Sequence, residues 1–297
     1  MVYKQTKLRS WINPEKLNLS SLNLNNNAFI FLKENPSFID SNYLPFNPNS
    51  YYIYLNCNID INWGCVSYYS NNADFLKNNI DKLNWERLSA NPYAIKLLEA
   101  NQNKVEWNYL SKNSNAIHII ENNLDKISWN LLSQNTNAMH ILEKNLNNID
   151  WWYLSENPNA IKLLEANQDK IIWCMLSINP NAIKLLEANP EKINWNLLSI
   201  NPTAIKLLES NQDKIDWDRL SKNPSAIHLL EENQDKICWY NLSKNPSIFT
   251  YDYDVIKEKN KELNEEIIEK ALHPKRMLRL MQEYGEEDIY SIYFDEE

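Results

Sequence analysis

The chain has 297 residues, 43% hydrophobic and 23% charged, an ordinary balance for a folded protein. A net charge of −9 counts against a nucleic-acid backbone as main partner, because affinity there comes from phosphates neutralised by Lys and Arg. Two glycines in all, Gly64 and Gly285, count against propellers, β-helices and Gly-rich phosphate loops, which need glycine for turns and close backbone approach.

Asparagine is about one residue in six and is expected to take over the turns, since it tolerates left-handed backbone better than other non-glycine residues. The richness in Asn, Lys, Ile and Tyr also fits an AT-rich genome. "MVYKQTKLRSW" at the start has no apolar signal core, and no stretch approaches 18 uninterrupted apolar residues. A soluble, cytoplasmic protein without a membrane partner is therefore expected. Cys57, Cys65, Cys174 and Cys238 form no C-x-x-C pair and read as free thiols, with no metal and no cofactor implied.

Tryptophan sets a frame of 22 residues, from Trp63 through Trp85, Trp107, Trp129, Trp151, Trp173, Trp195 and Trp217 to Trp239. With Trp at position 0, position 3 is Val66 and then Leu, position 4 is Ser from Ser67 to Ser243, and position 20 is Ile or a near equivalent. In chain order, residues 1–18 are an N-terminal segment whose "EKLNL" (15–19) matches the K-I-x-W junction. Residues 19–62 hold two degenerate repeats beginning at Leu19 and Ser41. Residues 63–250 hold the regular repeats, and 251–297 form C-terminal capping helices with an acidic tail. The frame thus counts about eleven repeats, numbered 1 to 11 from Leu19 to Trp239.

Each repeat reads as two short helices. Positions 9, 10, 12 and 13 (Ala182, Ile183, Leu185, Leu186) are apolar while 8, 11 and 14 are polar, which is helical spacing. Asn179-Pro180 and Asn201-Pro202 read as an N-cap with proline at the first helical position. Asn167, Asn189 and Asn211 at position 16 read as left-handed helix ends. Asn194, Asp216 and Ser128 at position 21 read as caps of the other helix, a rule that Ile172 and Cys238 break. A leucine-rich-repeat reading, with I-x-W as a strand, competes, but N-P opens a helix and the L-x-L core is missing.

One repeat buries about six apolar side chains at roughly 1.5–3 kcal/mol each, too little against backbone ordering of roughly 1–2 kcal/mol per residue. Stacked repeats cover one another's open faces. The expected architecture is all-α, an α-solenoid with a C-terminal helical cap, drawn out as a curved rod ~100 Å long at about 8–10 Å per layer. The tryptophans are expected in the cores of its interfaces. After Pro246, 255–272 reads as an amphipathic helix with Ile256, Leu263, Ile267, Ile268 and Ala271 inward. Pro274 starts another helix that Gly285 ends.

The L-S-x-N-P-x-A-I-x-L-L-E-x-N-x-x-K-I-x-W repeat, the "LRSWINPEKLNL" start and the "ALHPKR" exit resemble the tandem-repeat proteins encoded in many copies by giant DNA viruses of amoebae. That resemblance covers nearly the whole chain and implies no catalytic residues, since such proteins are of unassigned function as a group. The Tyr-rich degenerate repeats and the acidic C-terminus depart from the pattern.

Candidate surfaces are two. Lys96, His118, His140, Lys162, Lys184, Lys206 and His228 share position 11 and form a basic stripe beside the glutamates of position 14, so the histidines are read as surface cations and not as metal ligands. Tyr51, Tyr52, Tyr54, Tyr68 and Tyr69 cluster where the repeat is least regular and could form a partner-binding patch, exposed tyrosines being favoured contacts. No serine has a His and an acid in a special place, so the equivalent serines are read as scaffold and the protein as a non-enzyme. The expected function is a scaffold binding a protein partner, host or viral. The alternatives are a structural component of a virus particle or an enzyme with a site at one end.

Overall fold

The structure, a computed structural model, describes residues 6–57 and 60–285. It divides into two bodies, Leu8–Phe249, and Met1–Lys7 with Thr250–Glu297. The larger body is the all-α solenoid that the period predicts.

Repeat 8 shows the plan. Its first α-helix is Trp173–Leu176, its second Ile183–Glu187, and a 3-10 turn, Pro190–Lys192, follows. The two helices are as predicted, but the second opens later than the Asn-Pro signal suggests. Asn179 Oδ1 accepts from the Asn181 N–H at 3.0 Å, closing a tight turn, and the helix begins at Ile183 without a side-chain cap. In repeats 7 and 10 the same stretch, Pro158–Ala160 and Pro224–Ala226, is a 3-10 turn led by its proline. At the first helix the cap rule holds: Asn194, Asp216 and Ser128 accept from the N–H of Leu197, Arg219 and Leu131, while Ile172 and Cys238 make no such bond.

Position 16 departs from expectation. Asn167, Asn189 and Asn211 have φ of −136°, −137° and −139°, so they are not left-handed. Each instead turns its amide back to the carbonyl four residues earlier, Leu163, Leu185 and Leu207, at 2.9, 3.0 and 2.9 Å. A short polar side chain thereby satisfies one of the carbonyls that a helix end leaves open.

The core also differs from expectation. Leu176, Leu186, Leu198 and Leu208 are fully buried with Ala182, whereas the framing tryptophans are half-buried. Trp173 at the start of its short helix borders the interface and does not fill it. Leu176, three residues on, is the residue whose removal leaves a cavity.

Two buried polar ladders join successive repeats. Ser177 Oγ donates to its own Trp173 carbonyl at 2.9 Å and accepts the N–H of Asn194, which opens the next repeat, at 3.0 Å. Asn201 Nδ2 donates to the carbonyls of Ser177 and Asn179, both at 3.0 Å. These side chains are wholly buried, where an unmet backbone group costs about 1–3 kcal/mol, which is why Ser and Asn recur at positions 4 and 6.

The ladders do not end, so the expected rod is not what forms. Asn25 of repeat 1 donates to the carbonyls of Ser243 and Asn245 in repeat 11 at 3.0 and 2.8 Å, and the Asn18 N–H reaches Ser243 Oγ at 2.8 Å. Repeat 1 therefore stacks on repeat 11, and the larger body closes into a ring, turning on average about 33° per repeat. Repeat 11 has only its first helix, Trp239–Leu242, and the turn Pro246–Ile248. Its 3-10 turn comes from the other end of the chain as Pro14–Lys16, with Leu17 buried at position 20 and Asn18 as the cap at position 21. Arg9 ties this segment down, its backbone N–H to Ile248 O at 2.9 Å and its Nε to Ser247 O at 2.7 Å.

The short strands Thr6–Leu8 and Phe249–Tyr251 pair with each other. Beyond them lie the two predicted helices, Tyr253–Ala271, capped by Asp252, and Pro274–Tyr284, ended by Gly285 at φ 99°. Ile268 is 56% exposed, against the inward reading, and Ile256 and Ala271 are partly covered. The side chains of Leu263 and Ile267 lie outside the described residues, as does the acidic tail from residue 286.

Candidate protein-interaction surface

The outer face is built from the second helices, whose position 11 points away from the core. His118, His140 and His228 are half-exposed there, each Nε2 2.6, 2.6 and 2.8 Å from Glu99, Glu121 and Glu209. The acid belongs to the preceding repeat, so the two stripes interlock across junctions and not along one helix. Exposed pairs of this kind contribute about 0–1 kcal/mol. Lys96, Lys162, Lys184 and Lys206 occupy the same place, exposed, and form no ion pair among the described residues.

The tyrosine cluster lies at the junction of repeats 2 and 3. There Pro45 replaces the position-4 serine and Tyr69 the position-6 asparagine, so neither ladder bond can form. Tyr52 substitutes for them, its hydroxyl donating to Asn71 Oδ1 at 2.7 Å. Tyr54 is 5% exposed and its hydroxyl is pushed well above the ordinary range by burial, so it is part of the interior and offers no surface to a partner. Tyr68 and Tyr69 are half-buried and meet edge to face at 4.6 Å, and burial raises the Tyr69 hydroxyl. The Tyr51 side chain lies outside the described residues. The cluster thus lies at the junction that lacks both ladders, with a cleft of about 270 Å³ nearby lined by Pro45, Phe46, Cys65 and Arg87 among others. Phe46 is its most exposed apolar side chain, at 55%.

A third feature was missed in the sequence. The lysine at position 19 lays its ammonium over the tryptophan of its own repeat: Lys104 on Trp85, Lys192 on Trp173 and Lys236 on Trp217, at 4.9, 4.3 and 4.4 Å from the ring centroid. Lys16 does the same to Trp239 at 5.1 Å, across the closure. Each such contact contributes about 0.5–1 kcal/mol at an exposed site. The signal was the lysine that recurs 19 residues after the tryptophan it covers.

A family model for the periplasmic copper-binding protein NosD matches residues 93–264, more than half of the chain. The chain belongs to the NosD family. No curated protein and no solved structure matches. The NosD-matched segment is the run of regular Asn-rich repeats and the start of the helix after them. Copper is what the family's name binds, and the residues here do not fit it. Among the described residues no three His, Cys, Asp or Glu side chains are grouped to hold a metal. The three position-11 histidines stand in separate repeats, each against a glutamate. The buried Cys65 thiol is pushed up to about 11 by desolvation, away from the thiolate a metal needs. No helix among the described residues is long and apolar enough to cross a membrane.

Proposed function

We propose that the protein is a non-enzymatic scaffold that binds a protein partner, encoded by a giant DNA virus of amoebae and working in the host cytoplasm. One observation carries this reading: a backbone that repeats with the same buried bonds presents a face whose residues do not repeat. At position 1 of successive first helices stand Glu86, Asn108, Asn130, Trp152, Cys174, Asn196, Asp218 and Tyr240, on equivalent geometry. Trp152 and Tyr240 are 50% and 48% exposed, large aromatic side chains of the kind that dominate binding energy at interfaces.

The test is affinity capture with the full chain from infected amoebae, read by mass spectrometry, beside a Trp152→Ser, Tyr240→Ser variant of unchanged circular dichroism. A partner retained by the first and lost by the second is expected. Failure to retain any protein, or abundance in purified particles with self-association alone, overturns the reading, the second outcome pointing to a structural component of the particle.

A further inference from the structure

Eight of the nine tryptophans in the frame lie under a lysine ammonium, at 4.3 to 5.1 Å from the ring centroid. Trp129 is the exception, because position 19 of repeat 6 is Asn148. The rest of the lysine's place is intact. In three covered repeats the ammonium also donates to the position-16 asparagine: Lys126 to Asn123 Oδ1 at 2.9 Å, Lys214 to Asn211 Oδ1 at 3.2 Å and Lys236 to Asn233 Oδ1 at 3.0 Å. Repeat 6 keeps that asparagine, Asn145, and its Nδ2 is already held by Ile141 O at 2.8 Å, which turns Oδ1 outward as the acceptor. A cleft of about 430 Å³ lies along the segment that carries Asn145, lined by Glu143, Lys144, Asn145, Leu146, Asn147 and Asn148. Lys144 borders it but stands over no ring.

We propose that Trp129 and Asn145 form a receptor for one lysine side chain of a partner polypeptide, whose ε-ammonium takes the place that the chain's own lysine fills in the other repeats. The occupant is identified by those internal copies: the same ring and the same amide oxygen select an ammonium on a flexible stem. Trp129 is half-buried like the other framing tryptophans, but among the described residues no ammonium lies over its ring. Leu146, 41% exposed on the same rim, offers apolar contact to the residue beside the incoming lysine. This inference rests on the scaffold reading for its partner and gives that partner a chemical feature.

The experiment uses the full chain labelled with 5-fluorotryptophan, the Trp129 resonance being assigned by its loss in Trp129→Phe. The probe is the peptide acetyl-Ser-Leu-Lys-Leu-Ser-amide, titrated to several tens of millimolar, against the same peptide with norleucine for lysine. A saturable shift of the Trp129 resonance with the lysine peptide alone is expected, with the other framing tryptophans unmoved. Asn148→Lys, which restores the consensus, should abolish the response, because the chain's own ammonium then covers the ring. No shift at Trp129, an equal shift with norleucine, or a response that survives Asn148→Lys overturns the proposal. A partner captured equally well by the Asn148→Lys protein overturns it while leaving the scaffold reading in place. A Trp129 response without any captured partner does the reverse.

Discussion

The junction where the two ends of the repeat array meet and the junction between repeats 2 and 3 are opposites. At the first, the backbone is interrupted, yet the full set of bonds is present: Asn25 to Ser243 and Asn245, Asn18 to Ser243, Lys16 over Trp239. At the second, the same chain runs from one repeat to the next, yet Pro45 and Tyr69 have removed both ladders and a tyrosine hydroxyl at 2.7 Å stands in. Covalent continuity therefore does not decide how well neighbours stack. The buried Ser and Asn groups do, and the ring is more regular at its seam between termini than at a place inside the chain.

Deleting residues 1–18 attacks the seam most heavily. It removes Ile12 and Leu17, 4% and 6% exposed, and leaves Ser243 and the carbonyls of repeat 11 without the cap segment. Two such side chains are worth about 1.5–3 kcal/mol each, so a fall of about 5 kcal/mol is expected in urea unfolding once the lost bonds are included. A loss below about 1 kcal/mol means that the segment is not packed as described.

A finer comparison sets Asn25→Ala at the seam against Asn201→Ala in the middle of the array. Both remove two amide donors from buried carbonyls, which costs about 2–3 kcal/mol. Equal losses by thermal unfolding are expected. A seam variant close to wild type while Asn201→Ala is destabilised shows that the seam frays. At the irregular junction Tyr52→Phe deletes the hydrogen bond to Asn71, a loss of about 0.5–1.5 kcal/mol, visible as faster hydrogen exchange in Ser50–Cys57.

The smallest effect belongs to Lys7 and Asp252, 3.1 Å apart and exposed. The hydrogen bond from Lys7 holds the Asp252 carboxyl below its ordinary 3.8, so its stabilisation is present above that value and lost as pH falls through the depressed one. The same bond raises Lys7 above 10.5, so its contribution is present below that pH and lost as pH rises through the raised value. Asp252→Asn should bring the raised Lys7 value down in an NMR titration of the Lys7 side chain, leaving only the smaller effect of Asp254 at 3.5 Å. A titration unchanged by the substitution contradicts the pairing.

Much of the repeat was legible. Period, leucine core, scaffold serines and the caps at Asn194, Asp216 and Ser128 follow from spacing and from the need to satisfy helix ends. The tryptophans misled because size suggests burial, whereas a residue at the first position of a four-residue helix lies at its edge and takes its cover from a lysine. Asn167 and its equivalents misled because asparagine can end a helix by bonding its own carbonyls as well as by a left-handed turn. Closure was half legible. Asn13-Pro14-Glu15-Lys16-Leu17-Asn18 repeats Asn189-Pro190-Glu191-Lys192-Ile193-Asn194 in phase, half a repeat at one end that matches the half missing at the other. The angle between neighbours, which decides between rod and ring, arises from how side chains pack and leaves no mark in the period. The tyrosines marked irregularity correctly, but two of them answer a structural need, and the open Trp129 emerged only once the other eight were seen to be covered.

Closure is tested most directly by the distance between the ends of the array. Asn26 in repeat 1 and Ser225 in repeat 10 are both exposed, and each can carry a nitroxide on an introduced cysteine in a chain whose own cysteines are changed to alanine. Electron–electron double resonance should give a distance of roughly 20 Å, the span of two layers across the seam, whereas nine layers of an open rod give roughly 80 Å. A population centred near the shorter distance, lost when residues 1–18 are deleted, is the predicted result. A distribution at 60 Å or beyond in the intact chain contradicts the ring.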